Sequence, residues 1–246
     1  MTHINPKSTA AKWVAHRGYP YLYPENTRIG IDAALALGAL AFECDVQFTA
    51  DGEPVLFHDV DMKRITGHKG KLHEQRWETL QHFAVGEPSR LGRRYESILI
   101  SHLSEVVGLL KQYPQAYAFI ELKPESLPLH SVAYCVDKIV ETLAAVKNQW
   151  QLISYAEVAL RYAREQYDLP IGWVMEKYNS AFLATLEELQ PDIAICNIRK
   201  LPPPENLLQG KWQWMAYVIN DEETLQHSES YALAYRETDN IGGWLA

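Results

Sequence analysis

The sequence Phe42-Glu43-Cys44-Asp45-Val46-Gln47 predicts a β-strand, and Pro54-Val55-Leu56-Phe57-His58-Asp59, beyond a turn at Asp51-Gly52, predicts a second strand that ends in His-Asp. Side chains of a strand point alternately to opposite faces, so Glu43 and Asp45 lie on the same face. Two acidic groups on an apolar strand are costly to bury as bare charges. A divalent cation would offset that cost, because Mg²⁺ and Ca²⁺ prefer oxygen ligands. For this pair alone, a polar face in contact with water is an equal alternative.

Strands and helices alternate along the rest of the chain. Besides a hairpin arm at residues 54–58, the pattern predicts strands over residues 13–15, 42–47, 117–123, 151–155, 171–175, 192–197, 215–219 and 236–239. Eight strands that alternate with helices predict a (β/α)₈ TIM barrel, in which the active site lies at the carboxyl ends of the strands. An open doubly wound sheet is the alternative fold, but the first strand-to-helix turn lacks the G-x-G-x-x-G sequence that is typical of it.

The helices are predicted from apolar periodicity and from capping residues. Their expected ranges are 27–37 with Thr27 as N-cap, 103–110, 132–146, 156–166, 180–189 and 221–230 with Asp221 as N-cap, with a short helical turn at 203–209. Residues 60–97 lack this regularity and predict a small inserted subdomain of loops and short helices. We expect one domain over residues 1–246, with a very short last helix.

Composition excludes several classes of function. The formal net charge of -8 argues against a general affinity for nucleic acid or anionic membrane. No apolar run approaches the ~20 residues of a spanning helix, and residues 1–7 do not resemble a secretory signal. Cys44, Cys135 and Cys196 lie in apolar contexts and are expected to be buried free thiols. We therefore expect a soluble, cytoplasmic protein without integral membrane association, and the sequence leaves its oligomeric state open.

Ionisable side chains collect at the predicted carboxyl ends of the strands. The main ones are His16, Arg17, Glu43, Asp45, His58, Asp59, Glu121, Lys123, Glu237 and Asp239. Any one of them alone is typical of a solvated loop or a packing residue. Their combination at one rim of a barrel predicts a site for phosphoryl chemistry.

Each residue type suits a different part of that chemistry. Glu43, Asp45 and Glu121 supply three carboxylates for Mg²⁺ or Ca²⁺, and the sequence does not distinguish these two ions. Such an ion would polarise a phosphoryl oxygen. Arg17 offers a planar fork that matches phosphate, and Lys123 adds a second positive charge.

Two histidines complete the predicted site. His16 and His58 can act as a general base and a general acid near neutral pH, and spacing does not show which is which. One would take a proton from an attacking hydroxyl or water, and the other would give a proton to the leaving oxygen.

These motifs resemble the glycerophosphodiester phosphodiesterase family, and the bacterial, cytoplasmic type in particular. The segments that carry the resemblance are His16-Arg17-Gly18, Pro24-Glu25-Asn26-Thr27, Glu43-Cys44-Asp45-Val46-Gln47, Asp51-Gly52-Glu53-Pro54-Val55, His58-Asp59, Glu121-Leu122-Lys123, Tyr217-Val218-Ile219-Asn220 and Glu237-Thr238-Asp239. The resemblance covers essentially the whole chain. Its departures include Ile100-Ser101-His102-Leu103, where the family often has I-P-T-L, and Tyr217, where Trp is common.

The resemblance implies an activity and a set of roles. It implies a barrel with a subdomain inserted after His-Asp, a divalent cation held by Glu43, Asp45 and Glu121, and an acid–base pair of His16 and His58. The expected reaction, part of glycerol and lipid metabolism, is hydrolysis of a small-molecule glycerophosphodiester, such as glycerophosphocholine or glycerophosphoethanolamine. Its products are sn-glycerol 3-phosphate and an alcohol. Tyr217 and Asn220 are possible substrate-pocket residues, and the departures from the family pattern leave the preferred alcohol open.

Two other functions are alternatives. A lysophospholipase D-type enzyme would use the same site on lysophospholipids, and a non-catalytic barrel would bind phosphate-bearing ligands without turnover. Every predicted catalytic and metal-binding position is occupied by a residue that suits its role, which favours an enzyme. The attacking oxygen is either that of water or the substrate's own glycerol 2-hydroxyl, and the sequence leaves this open.

Overall fold

A computed structural model gives the structure of residues 11–245, and strands and helices alternate throughout it. The strands are β1 (Lys12–Ala15), β2 (Ala41–Phe48), β3 (Pro54–Leu56), β4 (Tyr117–Leu122), β5 (Trp150–Ser154), β6 (Ile171–Met175), β7 (Ile193–Asn197), β8 (Gln213–Tyr217) and β9 (Tyr235–Thr238). The helices are α1 (Arg28–Ala36), α2 (Lys63–Thr66), α3 (Trp77–Leu80), α4 (Pro88–Leu91), α5 (Ser104–Gln112), α6 (Val132–Leu143), α7 (Glu157–Tyr167), α8 (Ser180–Leu189), α9 (Glu222–Glu229) and α10 (Ile241–Trp244). The predicted leader at residues 1–7 lies outside the described residues.

All the strands except β3 pair in parallel and close into a barrel. Closure occurs at β1, where Ala15 lies opposite Phe42 of β2 on one side and Thr238 of β9 on the other. The predicted (β/α)₈ barrel is therefore confirmed, and the open doubly wound sheet is excluded because such a sheet has two free edges. Strand β3 pairs antiparallel with β2, as expected for the hairpin arm.

The barrel strands are buried on both faces, which explains their nearly continuous apolar sequences. Every residue of β2 is buried. Its outward residues, such as Phe42 and Cys44, pack in the large apolar layer between the strands and the helices. A smaller inner cluster fills the barrel and consists of Val14, Ala41, Phe119, Ile153, Val174, Ile193, Ile195 and Met215. The three cysteines are buried and free, as predicted.

Capping residues set the starts of the helices. The Thr27 hydroxyl accepts a hydrogen bond from the Gly30 N–H at the start of α1. Asp221 and Thr224 form a reciprocal capping box at the start of α9. Two predicted elements are shorter than expected: α6 ends at Leu143 and continues as a 3₁₀ turn to Val146, and the turn at 203–209 is helical only over Pro204–Asn206.

The segment between β3 and α5 contains three short helices, α2, α3 and α4. Its apolar side chains form a cluster separate from the two barrel clusters, with Val55, Phe57, Met62, Ile65, Leu72, Leu80, Val85 and Ile100 as its buried members. The inserted subdomain predicted near residues 60–97 therefore has its own small core. That residues 1–246 form one domain stays a prediction.

Within residues 11–245, no helix has both the length and the apolar content that a membrane span requires.

Candidate active site

Seven of the nine predicted site residues line a cavity of about 50 Å³ at the carboxyl ends of the strands, and the other two, Asp45 and Asn220, do not. Its lining includes His16, Arg17, Glu43, His58, Glu121, Lys123, Tyr155, Tyr217 and Glu237, above a floor of Ile153, Val174 and Ile195. Two wider cavities share its walls. One, of about 690 Å³, shares His58 and Lys123, and the other, of about 440 Å³, shares His16 and Arg17.

Three carboxylates predicted as metal ligands lie together. One oxygen from each of Glu43, Asp45 and Glu121 falls within 4.8 Å of the others, and all three side chains are buried. The Asp45 carboxylate accepts a hydrogen bond of 2.8 Å from Asn26 Nδ2 and lies 3.3 Å from Lys123 Nζ. Because the donors are all oxygens, the group fits a hard divalent cation.

The two neighbouring acids on β2 respond differently to burial. Burial raises the pKa of Glu43 well above its usual range, and the nearby carboxylates of Asp45 and Glu237 add to this effect. Burial would also raise the pKa of Asp45, but Arg17 and Lys123 outweigh it and hold that pKa below its usual value. One oxygen of Glu43, Oε1, has no hydrogen-bond partner in the described part of the chain. A buried carboxylate oxygen without a hydrogen-bond partner is suited to bind a cation.

Both predicted phosphate-binding cations are held by acids of the site. The Arg17 guanidinium donates a 3.0 Å hydrogen bond to Glu25 and lies 3.1 Å from Asp45, while its main-chain N–H donates to Glu43. Arg17 has a left-handed backbone conformation with φ of 51°, a strained geometry that is common at functional sites. The Lys123 ammonium donates a 2.9 Å hydrogen bond to Glu121.

Each predicted catalytic histidine has one ring nitrogen bound to a carboxylate. His16 Nδ1 lies 2.6 Å from Asp239 Oδ1, and His58 Nδ1 lies 2.8 Å from Asp59 Oδ1. Such a contact fixes the ring orientation and leaves Nε2 for chemistry. Burial and Arg17 would lower the pKa of His16, but the acidic groups around it outweigh them and raise it.

Further residues hold these partners in place, and sequence reasoning missed their roles. Asn220 donates from Nδ2 to Asp239 Oδ2 at 2.6 Å and accepts from the Asp239 main-chain N–H. Arg64, on α2, donates two hydrogen bonds to Asp59 and two to Glu25. Gln47 donates from Nε2 to the carbonyls of Phe57, His58 and Asp59. The position of Gln47 on the same strand face as Glu43 and Asp45 was the one local signal of its role.

Glu237 was predicted as one of the acids at the strand ends, but the sequence assigned it no role in the site. One of its oxygens lies within 4.8 Å of ligand atoms of His16 and Glu43, and its Oε1 has no hydrogen-bond partner among residues 11–245. Burial raises its pKa to about 7, with His16 opposing this shift and Glu121 adding to it. The spacing of Glu237 and Asp239 repeats that of Glu43 and Asp45, and this was the signal available in the sequence.

The two predicted pocket residues lie in different parts of the site. Tyr217 lines the small cavity, where its hydroxyl lies 2.8 Å from that of Tyr155. Asn220 lines the 440 Å³ cavity and binds Asp239 as described above.

The sequence of this chain is similar to those of known phosphodiesterases. Residues 16–198 match the model of the glycerophosphoryl diester phosphodiesterase family. The chain is 38% identical to a Bacillus altitudinis glycerophosphodiester phosphodiesterase over 46% of this chain and 45% of that protein. It is 37% identical to Bos taurus glycerophosphodiester phosphodiesterase 1 over 44% of this chain and 32% of that protein. The matched region thus spans less than half the length of these relatives.

Two solved structures have the same fold. A putative glycerophosphoryl diester phosphodiesterase from Silicibacter pomeroyi superposes with a TM-score of 0.83 at 20% identity, covering 95% of this chain and 91% of that one. A phosphodiesterase from Oleispira antarctica, in complex with the product sn-glycerol-3-phosphate, superposes with a TM-score of 0.82 at 26% identity, covering 94% of each chain. With the family model matching well over half of its length, this chain belongs to the glycerophosphoryl diester phosphodiesterase family.

Proposed function

We propose that this protein hydrolyses glycerophosphodiesters, such as glycerophosphocholine and glycerophosphoethanolamine, to sn-glycerol 3-phosphate and an alcohol. The observation that carries the proposal is a cavity lined by two histidines, each bound through Nδ1 to a carboxylate, beside three clustered carboxylates and two cations. The product bound to the Oleispira antarctica relative supports the same substrate class.

The acid–base steps are assigned to the histidines. Nε2 of one histidine accepts the proton of the attacking hydroxyl as its oxygen bonds to phosphorus, and Nε2 of the other donates a proton to the alcohol oxygen as its bond to phosphorus breaks. Asp239 and Asp59 hold the two rings in orientation and stabilise each ring while it is protonated. If water attacks, these steps add water across one phosphoester bond. If the glycerol 2-hydroxyl attacks, they release the alcohol and leave a cyclic phosphate, and a second step, in which water attacks phosphorus and the ring P–O bond breaks, gives the same net change.

The phosphate-binding and metal-binding roles fall to charged groups of the same cavity. Arg17 and Lys123 orient the phosphoryl oxygens and favour the charge that develops on them. Glu43, Asp45 and Glu121 would hold a divalent cation, Mg²⁺ or Ca²⁺, which supplies further stabilisation of that charge when bound.

The test is turnover after treatment with EDTA, with Mg²⁺ and Ca²⁺ added back singly, against a panel of glycerophosphodiesters. We expect activity to require one of these ions.

His16→Ala and His58→Ala should each lose about 10²–10⁴-fold in rate and keep the circular dichroism spectrum of the native protein. Normal turnover in the double histidine variant would refute the proposal, and ligand binding without turnover in the native protein would support the non-catalytic barrel instead. A diester that lacks the glycerol 2-hydroxyl distinguishes the two nucleophiles, since it is inert if that hydroxyl attacks.

A lysophospholipid is the second candidate substrate. Tyr21 lines the 440 Å³ cavity and is 63% exposed, and its neighbour Leu22 is also exposed. An apolar rim of this kind would suit an acyl chain. Comparing the rates on glycerophosphocholine and on its acylated counterpart tests this candidate.

The proposed location is the cytoplasm. The three buried free thiols support a reducing compartment, because thiols persist there. Cell fractionation with an antibody to the protein tests this placement.

A further inference from the structure

A second group of metal-ligand atoms lies beside the first. His16, Glu43 and Glu237 each offer one ligand atom within 4.8 Å of the others. Glu43 belongs to both groups, because it also lies with Asp45 and Glu121. The second group mixes nitrogen and oxygen donors, whereas the first contains oxygen alone.

Two carboxylate oxygens in this second group are buried without a partner. Glu43 is 2% exposed and Glu237 is 4% exposed, and Oε1 of each has no hydrogen-bond partner in the part of the chain that the structure describes. Both side chains line the 50 Å³ cavity. Buried polar atoms normally have a hydrogen-bond partner. Two unpaired carboxylate oxygens from side chains that line one cavity therefore favour the binding of a positively charged ligand there.

The surrounding cations do not supply that charge. The Lys123 ammonium lies 2.9 Å from Glu121 and 3.3 Å from Asp45, and the Arg17 guanidinium pairs with Glu25 and Asp45. Glu43 receives only the main-chain N–H of Arg17, through Oε2. Within residues 11–245, neither the Lys123 nor the Arg17 side chain forms an ion pair with Glu43 or Glu237, and the basic side chain beside them is that of His16, whose Nε2 lies 4.0 Å from Glu43 Oε2.

The histidine of the group is already arranged as a metal ligand. Its Nδ1 lies 2.6 Å from Asp239, and its Nε2 lies 4.0 Å from Glu43 Oε2. A carboxylate on the far nitrogen of a metal-binding histidine is a recurrent feature of metal sites, because it fixes the tautomer and the ring orientation. Asn220 in turn holds that carboxylate.

We propose that His16, Glu43 and Glu237 bind a second divalent cation of the kind that accepts a nitrogen ligand, such as Mn²⁺ or Zn²⁺. The inference rests on the proposed function for the neighbouring three-carboxylate site. The second ion uses His16 Nε2, which is also the atom assigned to proton transfer. Occupancy of this second site therefore slows hydrolysis, so that ions such as Mn²⁺ or Zn²⁺ inhibit the enzyme through it.

The test is the number of Mn²⁺ ions bound per chain, measured by equilibrium dialysis with MnCl₂ on the purified, EDTA-treated full chain. We expect two ions in the native protein, one in Glu237→Gln and one in Glu121→Gln, because each variant loses one site. Glu125→Gln is the matched control, since Glu125 is an exposed acid at the mouth of the site, and it should bind two. Paramagnetic resonance should show coupled ions in the native protein and isolated ions in Glu237→Gln.

Other outcomes overturn the inference. One ion in the native protein that is lost in Glu121→Gln but kept in Glu237→Gln rejects the second site and leaves the proposed function standing. Two ions in Glu237→Gln also reject it, and no ion in the native protein rejects both sites. Anomalous diffraction from native crystals soaked in MnCl₂ provides a check that needs no variant, because a peak between His16 and Glu237 is required.

Discussion

His16 and His58 each contact an aspartate carboxylate through Nδ1, but the two aspartates lie at very different distances along the sequence. The carboxylate on His58 comes from the next residue, Asp59, whereas the carboxylate on His16 comes from Asp239, at the other end of the described chain. A local pair is visible in sequence, but a pair 223 positions apart is not. The same difference explains why the acids of β2 were predicted correctly as neighbours while the role of Asp239 was missed.

The pH dependence of stability should reveal the Asp59 contacts. Burial alone would raise the pKa of Asp59, but hydrogen bonds from His58 and Arg64 outweigh it and hold that pKa below its usual value. A carboxyl with a lowered pKa in the folded state stabilises the fold fully above its unfolded pKa of about 3.9, and loses this contribution as pH falls through the folded pKa. The free energy of unfolding of Asp59→Asn should therefore be lower than that of the native protein at pH 7. This difference should shrink below about pH 4. Denaturant titrations over that range measure it, and a difference that does not change with pH would contradict the assignment.

Two buried glutamines should differ sharply in their effect on stability. Gln47 donates to three main-chain carbonyls of the segment that carries His58, whereas Nε2 of Gln151 is buried with no partner within residues 11–245. Gln47→Leu should lower the free energy of unfolding by about 1–3 kcal/mol, because it leaves buried acceptors unpaired. Gln151→Leu, the matched control, should cost less stability, since it removes an unpaired donor and only one long hydrogen bond, of 3.5 Å from the Tyr117 hydroxyl to Gln151 Oε1. Urea unfolding measures both free energies of unfolding. Equal losses in the two variants would show that the hydrogen bonds of Gln47 do not stabilise the fold.

At the scale of elements, regular periodicity predicted most of the barrel. Residues 180–189 were predicted as a helix, and α8 covers the same range, because its capping residue and apolar spacing are local. The short helices α2, α3 and α4 have four residues each and no periodicity of their own. Their positions depend on packing with distant residues such as Ile100, which a local pattern does not contain.

Arg64 should hold α2 against the barrel. It is the residue of α2 that reaches both Glu25 and Asp59, with a planar fork on each. Arg64→Lys keeps the positive charge but loses both forks, so the amides of α2 should exchange hydrogen faster than in the native protein. Hydrogen exchange measured by mass spectrometry tests this expectation. Arg93→Lys is the control, because the pair of Arg93 with Glu96 is solvent-exposed and contributes little. Equal exchange in the native protein and in Arg64→Lys would mean that apolar packing alone holds α2.

At the scale of the whole molecule, barrel closure assembles the site. Strand β9 lies beside β1, so Glu237 at one end of the chain enters the cavity of Glu43 near the other end. The sequence predicted that acids collect at the strand ends, because the fold itself requires it. It could not predict which of them share one cavity, since this depends on the stagger of strands that closure fixes.

Closure also places the carboxylates of Glu43, Glu121 and Glu237 around one small cavity, with that of Asp45 beside Glu43 and Glu121, and this should make stability depend on metal. An ion that binds only the folded state raises the free energy of unfolding by RT ln(1 + [L]/Kd), about 2.7 kcal/mol when free ion is about 100 times Kd. Thermal unfolding of EDTA-treated protein should therefore shift to higher temperature as MgCl₂ is added. Glu43→Gln should abolish this shift, because Glu43 supplies ligand atoms to both groups, whereas the exposed Glu125→Gln should keep it. A shift of equal size in Glu43→Gln would place the ion elsewhere on the protein. The absence of any shift in the native protein would mean that the acids of the cavity are neutralised by protons and by Arg17 and Lys123 instead.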